Sequence, residues 1–143
     1  LIVGTGPMEK EIKTMVDRMK LSAFVNFTGF RSDIVEIISE SDVVLIPSLR
    51  EGFSMTMFES MAAGTLFIGS ELPQNKECIT SGYDGVLVDS TNIDEYISVL
   101  QELYDNKQFL QTIVSNAKKR AKDFSVENIQ SEYEALYDQC LNN

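Results

Sequence analysis

Apolar residues recur along this chain in short runs that alternate with helical stripes. The run LIVG (1–4) precedes Met8, Ile12, Met15, Val16 and Met19, which share one face of a helix over 8–19. FVNFTG (24–29) predicts a second strand. Ile34, Ile37 and Ile38 predict the inner face of a short helix over 32–40, with Asp33 and Glu36 at capping-box spacing. DVVLIP (42–47) is continuously apolar, which predicts a strand covered on both faces. A helix over 55–63 is stopped by Gly64. TLFIGS (65–70) and GVLVD (85–89) predict two more strands, with a short helix over 74–80 between them.

After residue 89 the alternation ends and three amphipathic helices follow. Their stripes are Ile93, Tyr96, Ile97, Leu100 and Tyr104 over 92–105, then Leu110, Ile113, Val114, Ala117 and Ala121 over 107–123. The third, over 126–141, carries Ile129, Tyr133, Leu136, Tyr137 and Cys140. KKRAK (118–122) reads as a solvated helix end that complements the helix dipole. The pattern predicts an α/β fold: a doubly wound parallel sheet of about five strands with C-terminal helices, in one domain over 1–143. Ligands of such sheets bind beyond the carboxyl ends of the strands, here the turns after residues 4, 29, 47 and 70.

Composition narrows the function classes. The chain has 143 residues, 43% of them hydrophobic, enough for a core without disulfides. Its net charge of −10, from 12 basic and 22 acidic residues, argues against nucleic acid and against docking of this segment on anionic lipid. Cys78 and Cys140 lack metal-ligand spacing and read as free thiols of a reducing, cytoplasmic compartment. There is no His, so any imidazole chemistry would have to come from elsewhere. Residue 1 is Leu, and the chain opens directly in a core strand, so the expectation is a fragment of a longer protein.

The chemistry concentrates in one segment. GTGPME (4–9) has Glu9 where a dinucleotide fingerprint has its third glycine, a carboxylate where a pyrophosphate would approach, and so reads as a tight strand-to-helix turn. In TGFRSD (28–33), Arg31 faces either a phosphate or base, or Asp33; the residues leave both open. PSLREGFSMTMFESMAAG (47–64) is richer. Ser54 or Thr56 caps its helix, whose leading N–H groups with Gly52 nearby favour an anion. Glu51 lies in the loop and Glu59 in the second helical turn. On an unbroken helix eight steps would leave them ~80° apart with ~12 Å of rise, so they are not a same-face pair. Carboxylates accept paired hydroxyls, and a phosphate flanked by such acceptors describes a sugar nucleotide. The bland alternative makes Thr56 and Glu59 a capping box and Glu51 an exposed loop acid.

SDVVLIPSLREGFSMTMFESMAAG closely resembles the signature of the retaining glycosyltransferases of family four, in the GT-B fold group: Pro-Ser, Glu-Gly-Phe, then a helix with a second Glu and Ala-x-Gly. LIVGTGP, VNFTGFRSDIVEIISESDVVLIPS and SGYDGVLVD resemble the neighbouring motifs in order. The resemblance implies that Glu51, its catalytic residue, accepts hydrogen bonds from the donor hexose. It implies that backbone N–H groups near Gly52, Phe53, Ser54 and Met55 bind sugar or diphosphate oxygens, and that Glu59 binds the ribose. Phe30 and Arg31 would read the base. The implied donor is a UDP- or GDP-sugar, transferred with retention of configuration, without a divalent metal and with no cofactor. The acceptor, a carbohydrate or lipid-linked one in the first instance, belongs to the missing domain, and polysaccharide, lipid-linked and protein acceptors all stay open.

Two departures shape the expectation. The family's amino-terminal acceptor domain is absent, as is the opening strand and helix of the donor domain, which supply an Arg and a Lys to the diphosphate. This chain is therefore expected to be a truncated C-terminal donor domain, inactive alone. Any membrane association falls to the missing domain, and the exposed sheet edges could pair two copies. ELPQNKECITSG (71–82) also departs from the family's Pro-Glu pair, so Glu77 is kept outside the site. The competing expectations are a non-catalytic Rossmann-like interaction domain and a sugar-nucleotide epimerase of the same fold.

Overall fold

Strands and helices alternate through the first ninety residues, as the hydrophobic pattern requires. A computed structural model describes residues 1–141; the last two positions of the domain expected over 1–143 lie outside the described residues. The elements run β1 (Ile2–Val3), α1 (Glu9–Arg18), β2 (Phe27–Gly29), α2 (Ile34–Ser39), β3 (Val43–Ile46), α3 (Met55–Ala63), β4 (Leu66–Ser70), α4 (Pro73–Cys78) and β5 (Val86–Val88). Three helices follow, α5 (Ile93–Asp105), α6 (Lys107–Ala121) and α7 (Val126–Leu141), with a short 3-10 turn at Lys122–Phe124. The strand pairings named here are parallel, and they fall into two sheets, β1-β2 and β3-β4-β5. The chain correspondingly divides into two compact units, Leu1–Ile34 and Val35 onward.

The first unit is a βαβ element. Ile2 pairs with Phe27, and the Gly4 N–H donates to the Gly29 carbonyl at 2.7 Å. Glu9 opens α1 and forms an i,i+4 ion pair with Lys13 at 2.7 Å, so this carboxylate belongs to the helix surface. Helix α1 closes without glycine: Lys20 takes the left-handed conformation (φ 58°), and Leu21 N–H reaches back to the Val16 carbonyl. Thirty-four residues make a thin layer. Ile12 and Val16 are half-buried, and Met8, Met15 and Met19 are exposed. Phe24, read as part of a strand, is 80% exposed and precedes it.

The second unit holds the core. All five residues of β4 are buried because this strand is paired on both edges and covered on both faces. On one face Phe67 packs with Met57, Met61, Cys78, Ile79, Leu87 and Ala117. On the other, Leu66 and Ile68 pack with Val86, Val88, Tyr96, Leu103 and Ile113. The alternation of Leu66, Phe67 and Ile68 between the two clusters is the period of a strand. Burial pushes the Cys78 thiol above its ordinary range, helped by the negative charge of Glu77. Both cysteines are free.

Several expected faces differ. Strand β3 is only half-buried, with Leu45 42% exposed, because its pairing within its sheet is with β4 alone. Helix α5 has the expected length but turns Tyr96 and Leu103 inward. Ile93, Ile97 and Tyr104 of the sequence stripe are exposed. Helix α6 packs as its stripe predicts, through Ile113 and Ala117. Helix α7 buries none of its residues, so Ile129, Tyr133, Leu136 and Tyr137 remain on the surface. Among the described residues no helix is long and apolar enough to cross a membrane.

Candidate functional site

The segment with two glutamates is organised by the two ends of α3. At its carboxyl end Gly64 adopts φ 81°, a conformation open to glycine, and its N–H closes on the Ser60 carbonyl at 3.0 Å. A Cβ there would also lie 1.9 Å from Cε of Lys118, whose stem crosses the turn. At its amino end Ser54 is the N-cap residue, in extended conformation. The first bond of the helix runs from Met57 N–H to the Ser54 carbonyl at 3.2 Å. The Ser54 side chain takes no capping bond, although the residue is only 4% exposed and its Oγ is buried without a partner. The leading N–H groups of α3 are thus left without a side-chain cap, and the positive end of the helix dipole points out of the segment.

The capping-box alternative fails on this geometry. Thr56 is the second residue inside α3, not its cap, and Glu59 is half-buried on the second turn. Glu51 lies in the loop between β3 and α3 and is half-buried rather than an exposed loop acid. Its Oε2 is buried with no hydrogen-bond partner, while its carbonyl accepts from Nε2 of Gln74. A buried polar atom left unpaired costs about 1–3 kcal/mol. Gly52 is exposed, and Phe53, 60% exposed, stacks on Phe58 with ring centroids 5.2 Å apart. Phe58 in turn meets Phe124 edge-on at 4.7 Å, which ties the loop to the turn after α6. Met55, the first helical residue, is 65% exposed.

One loop and helix therefore carry Glu51, Gly52, Phe53, Ser54, Met55 and Glu59. Phe30 and Arg31 belong to the first unit, in the turn after β2. Phe30 is 80% exposed. Of the two roles open to Arg31, pairing with Asp33 is realised: Nε donates to Oδ1 at 2.7 Å, and Nη2 pairs with Oδ2. This bidentate bond holds the Asp33 carboxyl below its ordinary range and raises Arg31 further. Asp33 is thus engaged by Arg31, and its spacing to Glu36 is not what decides its contacts.

Residues at the carboxyl end of β4 complete the surroundings, as expected for a turn after residue 70. Asn75, 2% exposed, donates Nδ2 to the Ser70 carbonyl at 2.9 Å, and Gln74 reaches the Glu51 loop. Gln74 and Asn75 carry no motif of their own, and the one signal for them in sequence is their position after a buried strand. Glu77 is exposed on α4, away from these contacts. Among the described residues no group of three His, Cys, Asp or Glu side chains gathers in a way that could hold a metal ion.

The segment offers an uncapped helix start, a carboxylate in the loop before it and a second carboxylate on its second turn. Comparison with known proteins supplies a context for it. The family model described as glycosyl transferases group 1 matches residues 1–120. An Escherichia coli UDP-Gal:alpha-D-GlcNAc-diphosphoundecaprenol alpha-1,3-galactosyltransferase is 32% identical over 108 residues, covering 75% of this chain and 28% of the relative. The Campylobacter jejuni N,N'-diacetylbacillosaminyl-diphospho-undecaprenol alpha-1,3-N-acetylgalactosaminyltransferase is 29% identical over 122 residues, covering 85% of this chain and 32% of the relative. The crystal structure of Anabaena HepE in complex with UDP-glucose superposes with a TM-score of 0.86 at 28% identity, over 95% of this chain and 40% of that one. This chain spans less than half the length of these relatives.

Proposed function

The chain belongs to the glycosyl transferases group 1 family, and from that membership we propose that it is the donor-binding part of a longer glycosyltransferase. The donor is a nucleoside diphosphate sugar. The observation that carries this reading is the Glu51 carboxylate, with one oxygen buried and unpaired, placed just before an α3 start that no side chain caps. A helix start of this kind favours an anion and a buried carboxylate oxygen favours a hydroxyl donor, and a sugar diphosphate supplies both.

In this reading the N–H groups around Gly52, Phe53, Ser54 and Met55 take diphosphate or sugar oxygens, Glu51 accepts from the hexose and Glu59 from the ribose hydroxyls. Phe30, with an exposed ring, and Arg31 are the proposed readers of the base. The departing diphosphate gains most from the helix start, because charge accumulates on it as the glycosidic bond breaks. Transfer with retention, without a divalent metal, to a carbohydrate or lipid-linked acceptor held by the rest of the longer protein completes the proposal. The chain by itself is then not expected to transfer sugar, since it spans less than half the length of the glycosyltransferases it matches. The complexes of Anabaena HepE with UDP and with UDP-glucose support the donor class.

Titration of the full-length protein with UDP, GDP and their glucose, galactose and N-acetylglucosamine derivatives tests this. One nucleotide series is expected to bind. Glu59→Ala, which removes the ribose acceptor, is expected to weaken both the free nucleotide and its sugar about 10- to 100-fold, one to two charge-assisted hydrogen bonds. Absence of binding to either series favours a non-catalytic interaction domain, and unchanged binding by Glu59→Ala removes the ribose assignment.

A further inference from the structure

We infer that Gln74 is a positioning residue for Glu51: from α4 it fixes the backbone of the donor loop and leaves the Glu51 carboxylate to the sugar. The inference rests on the donor-site reading above. The two residues are 23 positions apart, in the connections that follow the adjacent strands β3 and β4, and the Gln74 amide donates Nε2 to the Glu51 carbonyl oxygen. A bond at that carbonyl restrains the Glu51–Gly52 peptide plane, one of the two planes that flank the Glu51 Cα and set where its side chain starts.

The restraint has force because α4 is itself anchored. Pro73 begins the helix with its backbone already set. The next residue after Gln74, Asn75, is nearly fully buried and donates Nδ2 to the Ser70 carbonyl at 2.9 Å. Ser70 ends β4, the strand buried along its whole length. Consecutive side chains of one short helix thus bond in two directions, Asn75 to the central strand and Gln74 to the loop. The Glu51 carboxylate is treated in the opposite way. The backbone is tied down, while Oε2 is buried with no partner among the described residues. A group that is held in place and left unsatisfied is preorganised for a ligand hydroxyl, since the strain of ordering it is met before binding.

The role predicts a selective effect. Hexose recognition passes through Glu51, whereas nucleotide recognition does not, so loosening Glu51 weakens UDP-glucose without weakening UDP. The test titrates the full-length protein with UDP and with UDP-glucose in wild type, Gln74→Met, Gln74→Ala and Glu51→Gln. Methionine keeps the length of the side chain and removes its N–H donor. Both Gln74 variants are expected to lose 5- to 20-fold in UDP-glucose affinity, with UDP affinity unchanged within twofold and melting temperature within about 2 °C of wild type. If Glu51→Gln shows that selective loss and the Gln74 variants lose neither ligand, or both equally, the positioning role is overturned while the donor-site reading stands. A fall of more than about 5 °C in the melting temperature of both Gln74 variants makes Gln74 a residue of the fold and also overturns it. If Glu51→Gln itself leaves the preference for UDP-glucose over UDP untouched, the Glu51 assignment fails and takes this inference with it.

Discussion

Sugar transfer by the full-length protein is expected to fall about 100-fold on replacing Glu51 with Gln, measured as initial rate at saturating donor. Glutamine keeps the size of the side chain and its hydrogen-bonding carbonyl, but exchanges a carboxylate that accepts at both oxygens for an amide that accepts at one and donates at the other. A hydrogen bond from a hydroxyl to a charged acceptor is worth about 1.5–3 kcal/mol, and the amide loses one such bond and turns a donor toward a hydroxyl. One to two powers of ten in rate correspond to that range. The half-buried setting of Glu51 favours the upper end, because water does not fill the place of a lost partner beside a buried Oε2. Melting temperature is expected to hold or rise, since the carboxylate that is lost was unpaired. A variant with full activity would remove Glu51 from the site.

The second large effect is on stability. Phe67→Ala is expected to cost about 3–5 kcal/mol, the range for deleting a buried aromatic ring. Phe67 is 1% exposed at the centre of the cluster that joins α3, α4, β5 and α6 through Met57, Met61, Cys78, Leu87 and Ala117. The cavity cannot be filled by collapse of the backbone, because β4 is held between β3 and β5 on both edges. The ring also covers Gly69, where a Cβ would stand 2.4 Å from its Cε1. Domains have total stabilities of about 5–15 kcal/mol, so this one change removes a large share. A melting temperature lower by about 10–15 °C in differential scanning calorimetry is the expected result. A shift below about 3 °C would show that the cluster around β4 is not the core.

The contrast between these two residues shows what the sequence makes legible. Helix α3 is legible to both ends because the signals are local: Ser54 and Thr56, both cap-forming residue types, mark its start, where Ser54 is the N-cap residue without a side-chain bond, and Gly64 takes the left-handed φ of 81° at its end. Helices α5 and α7 were also placed within a residue or so, but their faces were not. Periodicity finds a stripe and does not say what covers it. In α5 the buried side is shifted toward Tyr96 and Leu103, and in α7 the stripe meets nothing that buries it. The apolar run of β3 predicts a doubly covered strand but is equally compatible with one paired on a single edge of its sheet, as found. The same ambiguity hid the division of five parallel strands into sheets of two and three.

The candidate site divides in the same way. Glu51 and Glu59 were visible because their loop and helix are contiguous in sequence. Their spacing suggests hydroxyl acceptors rather than a proton-transfer pair, and Glu51 lies before α3 while Glu59 lies on its second turn. Arg31 was ambiguous because a partner two residues away and a distant ligand leave the same trace in sequence. The bond to Asp33 decides its contact. Gln74 was invisible because a side-chain bond to a carbonyl 23 residues away carries no periodicity and no motif. Long-range polar ties of this kind are set by tertiary packing, and they surface only once the strands are in register.

The loop from Glu51 to Ser54 and the start of α3 are proposed to hold the sugar and diphosphate of a donor. A structure of the full-length protein bound to UDP-glucose tests this most directly. Hexose hydroxyls are expected within hydrogen-bond distance of the Glu51 carboxylate, diphosphate or sugar oxygens on the N–H groups between Gly52 and Met55, and ribose hydroxyls on Glu59. A nucleotide sugar seated elsewhere, with the Glu51 carboxylate and the start of α3 untouched, would contradict it.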